Sequence, residues 1–358
     1  MSKYTFMFLT FLLLGCKDEI NIDSYQSVLK ENIELIKIDS ILIKDSTNFN
    51  VGSIKDGVIW QDKLLIADNI NNCIWVFEGN KLIKKIGRKG RGPEEFASGP
   101  YIVNDKRNIY LPDYSGKKIE IYNDKFAHAK TVMFPKNVII QPGDWICVGD
   151  KFVLWGVKPS GGNKISEMES TLILSKDFEF VDNIIPWPDY LKSRSTHAVY
   201  TRNLKLSIGI GESFFLMQGT QFNDIMHLNN KNKIIKKFGR YPKYYKTPPD
   251  VPLQSVMKSL QATAAYVAQI TKIYKLDYDT KDNYLLCNYV NYYEEANFLR
   301  TALLGDHYLQ IYNNEYDVIF DEPIEGNLLS VHQGKIYILV SDEPDNVLIK
   351  IFKIENIK

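Results

Sequence analysis

Two aspartates recur at equivalent positions of a repeated pattern. Asp68 and Asp113 each follow a short apolar run and begin a polar turn, and the segments around them align without a gap at a spacing of 45 residues. Carboxylates that recur on one face of a fold can bind a metal ion or a sugar. Alternatively, each side chain accepts hydrogen bonds from the N–H groups of its own turn. Because every such turn needs a stabilising residue, the repetition favours the structural role.

Basic and aromatic residues form a second group with binding chemistry. Arg88, Lys89 and Arg91 lie in a Gly-rich segment. The residues that lead into it, Lys84–Arg88, are similar to the later segment Lys236–Arg240. The planar guanidinium of arginine suits carboxylates and phosphates, and tyrosine adds rigid contact area. We therefore expect a ligand face for a partner's acidic or carbohydrate groups. It comprises Asp68, Asn69, Arg88, Lys89, Arg91, Asp113, Tyr114, Arg240 and Tyr241. In the alternative, Arg88 and Arg91 only pair with the nearby Glu94 and Glu95.

Most familiar catalytic and metal-binding patterns are missing from the sequence. The Gly-rich segment lacks the Gly-Lys-Ser/Thr ending of a phosphate-binding loop, and no Gly-x-Ser-x-Gly elbow occurs. Three cysteines lie in alternating apolar stretches without Cys-x-x-Cys spacing, which predicts buried free thiols: Cys73, Cys147 and Cys287. The histidines are far apart and are expected to be singly placed: His128, His197, His227, His307 and His332. No cofactor is expected.

The repeat predicts the elements that position these residues. A period near 45 residues with four short strands per unit is typical of β-propeller blades. We predict an all-β, six-bladed β-propeller of four-stranded antiparallel blades. Five blades are expected at 50–90, 97–135, 138–187, 204–240 and 268–322.

The sixth blade is expected to combine the two ends of the chain. Residues 326–354 supply three strands, and the strand pattern at 33–43, which precedes the first full blade, supplies the fourth. Closure of the ring in this way removes two open sheet edges. Residues 16–32 then form a polar tether, and 33–358 form the propeller.

One segment interrupts the strand pattern. Residues 241–250 are rich in Pro and Tyr, and residues 252–267 contain good helix formers. Leu253, Val256, Met257 and Leu260 share helical spacing, and Asp250 is a candidate cap. We predict one short amphipathic helix near 252–267 that packs on the propeller.

The motifs resemble a known protein family. The segment from Gly87 to Phe96 is similar to the inter-blade loop of NHL-type repeats, although Glu94 replaces a usual glycine, and Asp68 and Asp113 match that family's turn aspartate. The N-terminus resembles a bacterial lipobox, with an apolar run that stops at Cys16. Together they resemble the six-bladed NHL- and TolB-like propeller lipoproteins of Gram-negative bacteria. This resemblance implies that residues 1–15 are a signal peptide and that Cys16 carries a lipid anchor.

Composition narrows the function further. The 358 residues include 44 Lys and Arg against 43 Asp and Glu, so the charge is balanced and gives no electrostatic footprint for nucleic acid. The resemblance implies an envelope lipoprotein, lipid-anchored in the outer membrane. We expect its propeller to be a non-catalytic binding or scaffolding module for an envelope protein or a carbohydrate. Lys17, Asp18 and Glu19 resemble a surface-export tag.

An enzymatic function is the alternative. Propeller hydrolases and lyases, such as lactonases or metal-dependent lyases, converge acids or histidines on the central channel. Here the expected innermost strands are apolar, as at Val58–Trp60 and Tyr101–Val103, with no acid or histidine recurring near their starts. Such apolar strands favour binding over catalysis.

Overall fold

A computed structural model describes residues 24–44, 50–159, 169–188, 196, 200, 203–294, 303–343 and 346–357. These residues form six blades, each built on a four-stranded sheet, arranged in a ring. The prediction of a six-bladed β-propeller is confirmed. No helix in the part of the chain described here is long and apolar enough to cross a membrane.

The strands follow the predicted blade boundaries to within a few residues. Before blade 1 come β1 (Ser24–Gln26) and β2 (Ile33–Lys44). Blade 1 contains β3 (Ile54–Trp60), β4 (Lys63–Asp68), β5 (Cys73–Glu78) and β6 (Lys81–Ile86). A small parallel pair follows, β7 (Arg88–Lys89) and β8 (Glu95–Phe96). Blade 2 contains β9 (Val103–Asn104), β10 (Asn108–Asp113), β11 (Lys118–Asn123) and β12 (His128–Met133). Blade 3 contains β13 (Ile139–Val148), β14 (Lys151–Val157), β15 (Glu169–Ser175) and β16 (Phe180–Pro186).

The second half of the ring has the same design. Blade 4 contains β17 (Leu204–Ile208), β18 (Phe214–Gln218), β19 (Ile225–Leu228) and β20 (Ile234–Gly239), with a 3-10 turn at Ile210–Glu212. Two helices follow, α1 (Leu253–Met257) and α2 (Leu260–Val267). Blade 5 contains β21 (Thr271–Asp279), β22 (Tyr284–Tyr292), β23 (Gly305–Tyr312) and β24 (Val318–Ile324). Blade 6 contains β25 (Asn327–His332), β26 (Lys335–Glu343) and β27 (Asn346–Asn356).

The N-terminal strand closes the ring. Strand β2 pairs antiparallel with β27 from Ile33 opposite Asn356 to Lys44 opposite Asn346, and so becomes the outermost strand of blade 6. The predicted closure is confirmed. Joining both chain ends in one sheet covers an edge that would otherwise expose unpaired N–H and C=O groups.

The tether prediction does not fit residues 24–32. Strand β1 adds a parallel fifth strand to blade 4 beside β20, and Leu29 forms a bridge with Val318 at the start of β24. The Tyr25 hydroxyl donates to Asp317 at 2.5 Å, and the Lys30 ammonium lies 2.5 Å from the same carboxylate. Residues 24–32 are therefore held along the outer edges of blades 4 and 5. Residues 16–23 and the signal-peptide and lipobox residues lie outside the described ranges.

The helical insertion is two short helices rather than one. The chain leaves helical geometry at Ser259, whose backbone is extended and whose hydroxyl accepts a hydrogen bond from the Ala262 N–H, so it caps α2. Pro252, without a side-chain cap, precedes α1, so the role predicted for Asp250 is wrong. Val256 is buried, but the break turns Met257 and Leu260 outward, with 64% and 79% of their surface exposed.

Apolar clusters fill the spaces between neighbouring blades. For example, Leu65, Ile74, Phe96 and Leu111 pack between blades 1 and 2, and equivalent clusters lie at the other blade boundaries. The first strand of each blade lines a central channel. Antiparallel pairing places the connections on two faces. We call one the loop face, with the connections between second and third strands and between blades, such as 69–72 and 87–102. The other is the turn face, with connections such as 61–62, 229–233 and 313–317.

Candidate functional site

The turn aspartates are buried and have several hydrogen-bond partners. Asp68 ends β4 and is fully buried. Its Oδ1 accepts from the N–H groups of Ile70 and Asn71 at 2.9 Å, and its Oδ2 accepts from the Gly52 N–H at 2.7 Å and the Trp75 indole at 2.9 Å. Burial alone raises the pKa of Asp68, but these donors hold it below its usual value. Asp68 therefore has a structural role.

Asp113 has the same role one blade later. It is fully buried, its Oδ2 accepts from the Ala97 N–H at 2.7 Å, and its Oδ1 accepts from the Ser98 hydroxyl at 2.9 Å and the Gly116 N–H at 3.1 Å. Each aspartate thus fixes its own turn and also the inter-blade loop that leads to an innermost strand. The structure removes both carboxylates from the expected ligand face.

The basic loop is exposed but lies away from the channel. The Arg88 side chain is 77% exposed and its guanidinium pairs with Glu95 at 3.0 Å. Glu95 also accepts from the backbone N–H groups of Arg91 and Gly92, at 3.0 and 2.8 Å. Lys89 and Arg91 are exposed. For Arg88, the pairing alternative raised from the sequence matches the structure, with Glu95 as the partner.

The remaining predicted residues do not join this loop in one site. Arg240 and Tyr241 follow blade 4, half a ring away from the loop between blades 1 and 2, and the Tyr241 ring packs on Tyr245 at 4.7 Å. The Tyr114 hydroxyl donates to the Gly143 carbonyl at 3.1 Å, so this ring supports the start of blade 3. Asn69 is exposed, and its N–H donates to Ser53. The expected ligand face is therefore several separate features.

The central channel holds the charged residues that the sequence argument missed. It encloses about 730 Å³ and is lined by residues from the first strand of every blade. Three lysines and four aspartates line this cavity: Lys55, Asp56, Asp144, Lys205, Lys275, Asp277 and Asp279.

Two ion pairs organise this cluster. Lys275 lies 3.1 Å from Asp56, linking blades 5 and 1, and Lys205 lies 3.2 Å from Asp144, linking blades 4 and 3. The four side chains are 16–24% exposed, so they contact the channel and not the inter-blade cores. The Lys275 ammonium also donates to the carbonyls of Gly57 and Leu329, which occupies its three N–H groups.

Burial shifts the pKa values of two channel carboxyls, Asp144 and Asp277, upward. Desolvation raises the pKa of Asp144 despite Lys205, and raises that of Asp277 despite Lys275 and N–H donors from Val331 and Tyr278. Burial lowers the pKa of Lys275, but the neighbouring Asp56 and Asp277 outweigh it, and the net shift is upward. At Asp144 and Asp277 desolvation therefore outweighs the nearby ammonium groups, whereas at Lys275 the nearby carboxylates outweigh desolvation.

Lys55 differs from the other two lysines. Its ammonium lies 3.6 Å from the centroid of the Tyr101 ring and donates to the Gly99 carbonyl at 2.6 Å. Among the described residues, no carboxylate lies within ion-pair distance of it. Burial lowers its pKa to about 8, only partly opposed by the more distant Asp56 and Asp113. One of its three N–H groups is used by Gly99, which leaves it able to bind a ligand's acidic oxygen.

These positions correct the argument that the innermost strands lack acids. Asp56 lies in β3 two residues before Val58, Asp144 lies in β13, and Asp277 lies in β21. The usable signal is the pair Lys55-Asp56 near the start of β3, the single charged residues of β13 and β17, and the several charged residues of β21. Each is a polar residue in a strand whose other face packs in a core.

The structure also locates the cysteines and histidines that lie within the described ranges. Cys73, Cys147 and Cys287 are buried free thiols, as predicted. His128, His227, His307 and His332 lie in blades 2, 4, 5 and 6, whereas His197 and Cys16 lie outside the described ranges. Within those ranges, no group of three or more His, Cys, Asp or Glu is arranged to hold a metal ion.

Comparisons with known proteins agree on the fold. Residues 15–141 match a family model, DUF5128, described as a 6-bladed beta-propeller. A crystal structure of a DUF4221-family member from Bacteroides vulgatus is similar over 91% of this chain and 99% of its own, at 13% identity and a TM-score of 0.67. A putative exported protein from Bacteroides fragilis is similar over 93% and 99%, at 15% identity and a TM-score of 0.59. Among curated protein sequences, none matches this chain.

Proposed function

We propose that this protein is a lipid-anchored binding module of the cell envelope and that the loop-face mouth of its channel binds an acidic saccharide. The observation that carries the proposal is Lys55, a half-buried ammonium beside an aromatic ring with no carboxylate partner among the described residues. A cavity of about 730 Å³ is within the range of small-molecule sites. A uronate carboxylate would pair with Lys55, and the sugar ring would pack near Tyr101.

The other channel groups suit the hydroxyls of such a ligand. Lys205 has one carboxylate partner, and Ser207 and Asn203 line the same cavity beside it. Ammonium and amide groups donate hydrogen bonds, and hydroxyl and carboxylate oxygens accept them. The ion pairs keep the net charge near zero, so the ligand's acidic group is recognised at Lys55 and not by a general positive potential.

Membrane attachment through Cys16 is part of the proposal. The lipobox pattern supports it, and two or three acyl chains make anchoring stable. Since β1 starts at Ser24, the eight residues after Cys16 span at most about 29 Å when fully extended. The outer edge of blade 4 would then lie near the membrane surface. A Cys16→Ser variant should stay unprocessed or leave the membrane, and unchanged detergent partitioning would contradict this attachment.

Calorimetric titration tests the binding site. The soluble chain without residues 1–16 is titrated with digalacturonate and with neutral digalactose, which differ in their carboxylates. Digalacturonate should bind at least about tenfold more tightly, the equivalent of 1.4 kcal/mol. Lys55→Gln should remove this preference.

Lys272 offers a matched control. Burial also lowers its pKa to about 8 and its ammonium lies 5.9 Å from the Tyr292 centroid, but it does not line the channel. Lys272→Gln should leave digalacturonate binding unchanged. Equal binding of the two disaccharides, or equal losses in both lysine variants, would refute the assignment.

The channel also supports a second candidate, a propeller hydrolase or lyase. A carboxyl with a raised pKa, Asp144, and an amine with a lowered pKa, Lys55, line one cavity, and such opposed shifts are characteristic of acid–base pairs. Mass spectrometry of digalacturonate after prolonged incubation separates the two functions. Intact disaccharide supports binding, whereas cleavage that is lost in Asp144→Asn supports catalysis. Metal found in the purified protein by elemental analysis would favour the lyase.

A further inference from the structure

A second cavity lies between blades 4 and 5 on the turn face. It encloses about 480 Å³. Its walls include the half-buried rings of Tyr278, Tyr316 and His227, together with Ile210 and Ile235, which are 53% and 49% exposed. The loop-face residue Lys55 does not line it, so this cavity is separate from the acidic-saccharide site proposed above.

Two equivalent turns form opposite sides of this cavity. In blade 4 the Asn229 side chain accepts from the N–H groups of Lys231 and Lys233 at 2.9 and 3.0 Å. In blade 5 the Asn313 side chain accepts from the corresponding groups of Glu315 and Asp317 at 3.0 and 2.9 Å. The first asparagine of each pair is therefore required by the turn.

The second asparagine of each pair is not used by the turn. Asn230 and Asn314 are exposed, line the cavity, and make no side-chain hydrogen bond within the described part of the chain. Blades 2 and 3 have the same turn, built on Asn123 and Ser175, but Asp124 and Lys176 follow there. Only the two described turns that flank the cavity carry a neutral amide at this position.

The cavity is uncharged. None of the described residues that line it is Lys, Arg, Asp or Glu. Burial lowers the pKa of His227 to about 4, so its ring is neutral at physiological pH. Its Nδ1 lies 2.9 Å from the Tyr316 hydroxyl and its ring stacks on Phe215 at 4.3 Å, which holds both rings in place. A charged ligand would find no counter-ion among these lining residues.

We propose that this cavity is a binding site for a neutral saccharide. Sugar rings have an apolar C–H face and a rim of hydroxyl groups. The tyrosine rings and Ile210 and Ile235 provide apolar surface, while the amides of Asn230 and Asn314 both donate and accept hydrogen bonds with hydroxyls. A site of mostly apolar walls with a few oriented polar groups is typical of small-ligand pockets.

Titration with neutral trisaccharides tests the site. The soluble chain without residues 1–16 is titrated by calorimetry with maltotriose, cellotriose and mannotriose. At least one should bind, and Asn230→Ala/Asn314→Ala should weaken it by about tenfold or more, as expected for the loss of two hydrogen-bonding side chains. Asp124→Ala, at the same turn position in blade 2, is the matched control and should bind normally.

The outcomes separate this proposal from the channel site. Lys55→Gln should leave trisaccharide binding intact, and the asparagine double variant should leave digalacturonate binding intact. An unchanged melting temperature in the double variant excludes loss of fold as the cause of weaker binding. If the melting temperature of the double variant falls, Tyr316→Ala provides a second variant. Failure of all three trisaccharides to bind, or binding unaffected in both the double variant and Tyr316→Ala, would overturn the proposal.

Discussion

Aspartates serve two different purposes in the turns and in the channel. Asp68 and Asp113 are fully buried and accept several hydrogen bonds each, mostly from backbone N–H groups. Asp56 and Asp144 are about one quarter exposed and each pairs with a lysine from another blade. The same residue type thus fixes the backbone in one region and lines a cavity in the other.

The difference lies in the donors around each carboxylate. A turn brings N–H groups to the aspartate that begins it, so the carboxylate is stabilised locally, and the pKa of Asp68 is lowered in spite of its burial. The channel supplies fewer donors, so desolvation dominates at Asp144 and its pKa is raised. Recurrence of an aspartate is therefore a sign of structure, and its isolation within an apolar strand is a sign of a cavity.

The largest effect is expected from Asp68→Ala. The substitution leaves buried N–H donors of the turn, of Gly52 and of Trp75 without an acceptor, and should reduce the free energy of unfolding by about 3 kcal/mol. Chemical denaturation measures this change. A loss below about 1 kcal/mol would show that the carboxylate is not structural and would reopen the turn as a ligand site.

A smaller effect is expected when the channel pair is broken. Asp144→Ala removes the partner of Lys205 but leaves that lysine in contact with the channel. The free energy of unfolding should therefore fall by about 1 kcal/mol. Combining Asp144→Ala with Lys205→Ala should recover part of this lost stability. A double-mutant cycle then gives the interaction free energy between the two side chains. Strictly additive losses would mean that the two side chains do not interact.

Opposite responses to pH should distinguish the two aspartates. Asp68 has a lowered pKa, so its contribution to stability is present above the unfolded value near 4 and is lost as pH falls through the folded value. Asp68→Asn should therefore lower the free energy of unfolding more at pH 7 than at pH 3. Asp144 has a raised pKa, which means that ionisation opposes folding, so Asp144→Asn should cost less at pH 7 than at pH 3. Parallel pH profiles would contradict the comparison.

The smallest effect on stability is expected from Lys55→Gln. It removes a partly buried ammonium without stranding a carboxylate, and the change should stay within about 0.5 kcal/mol at pH 7. Between pH 8 and 10 the unfolded chain keeps the Lys55 proton that the folded chain has lost, so wild-type stability should rise relative to the variant. Chemical denaturation of the wild type and the variant at pH 8 and at pH 10 measures this difference in stability.

The fold was predictable because its signals are local. The repeated turns of Asp68 and Asp113 fixed the blade period, and the strand pattern at 33–43, lying before the first blade, indicated closure with blade 6. The helix break at Ser259 was also readable, since serine is a preferred N-cap. The prediction of one continuous helix was wrong because the helical spacing of Met257 and Leu260 was counted across that cap.

The channel was not predictable by the same means. Lys275 and Asp56 are more than 200 residues apart in the chain and meet only because blades 5 and 1 approach the same axis. The sequence predicts a polar tether for residues 24–32 because their pairing with β20 and Val318 is made by backbone groups. Such pairing produces no hydrophobic periodicity in the sequence. Contacts across a ring depend on closure, which spacing along the chain does not encode.

The most direct test of the channel assignment is the ionisation of Lys55 itself. The ε-carbon shifts of ¹³C-labelled lysine, assigned with a Lys55→Arg variant, are followed by NMR against pH with and without digalacturonate. The free protein should titrate near pH 8, as burial predicts, and the bound carboxylate should raise this midpoint because it stabilises the charged form. A Lys55 midpoint that stays the same when digalacturonate is bound would contradict the assignment.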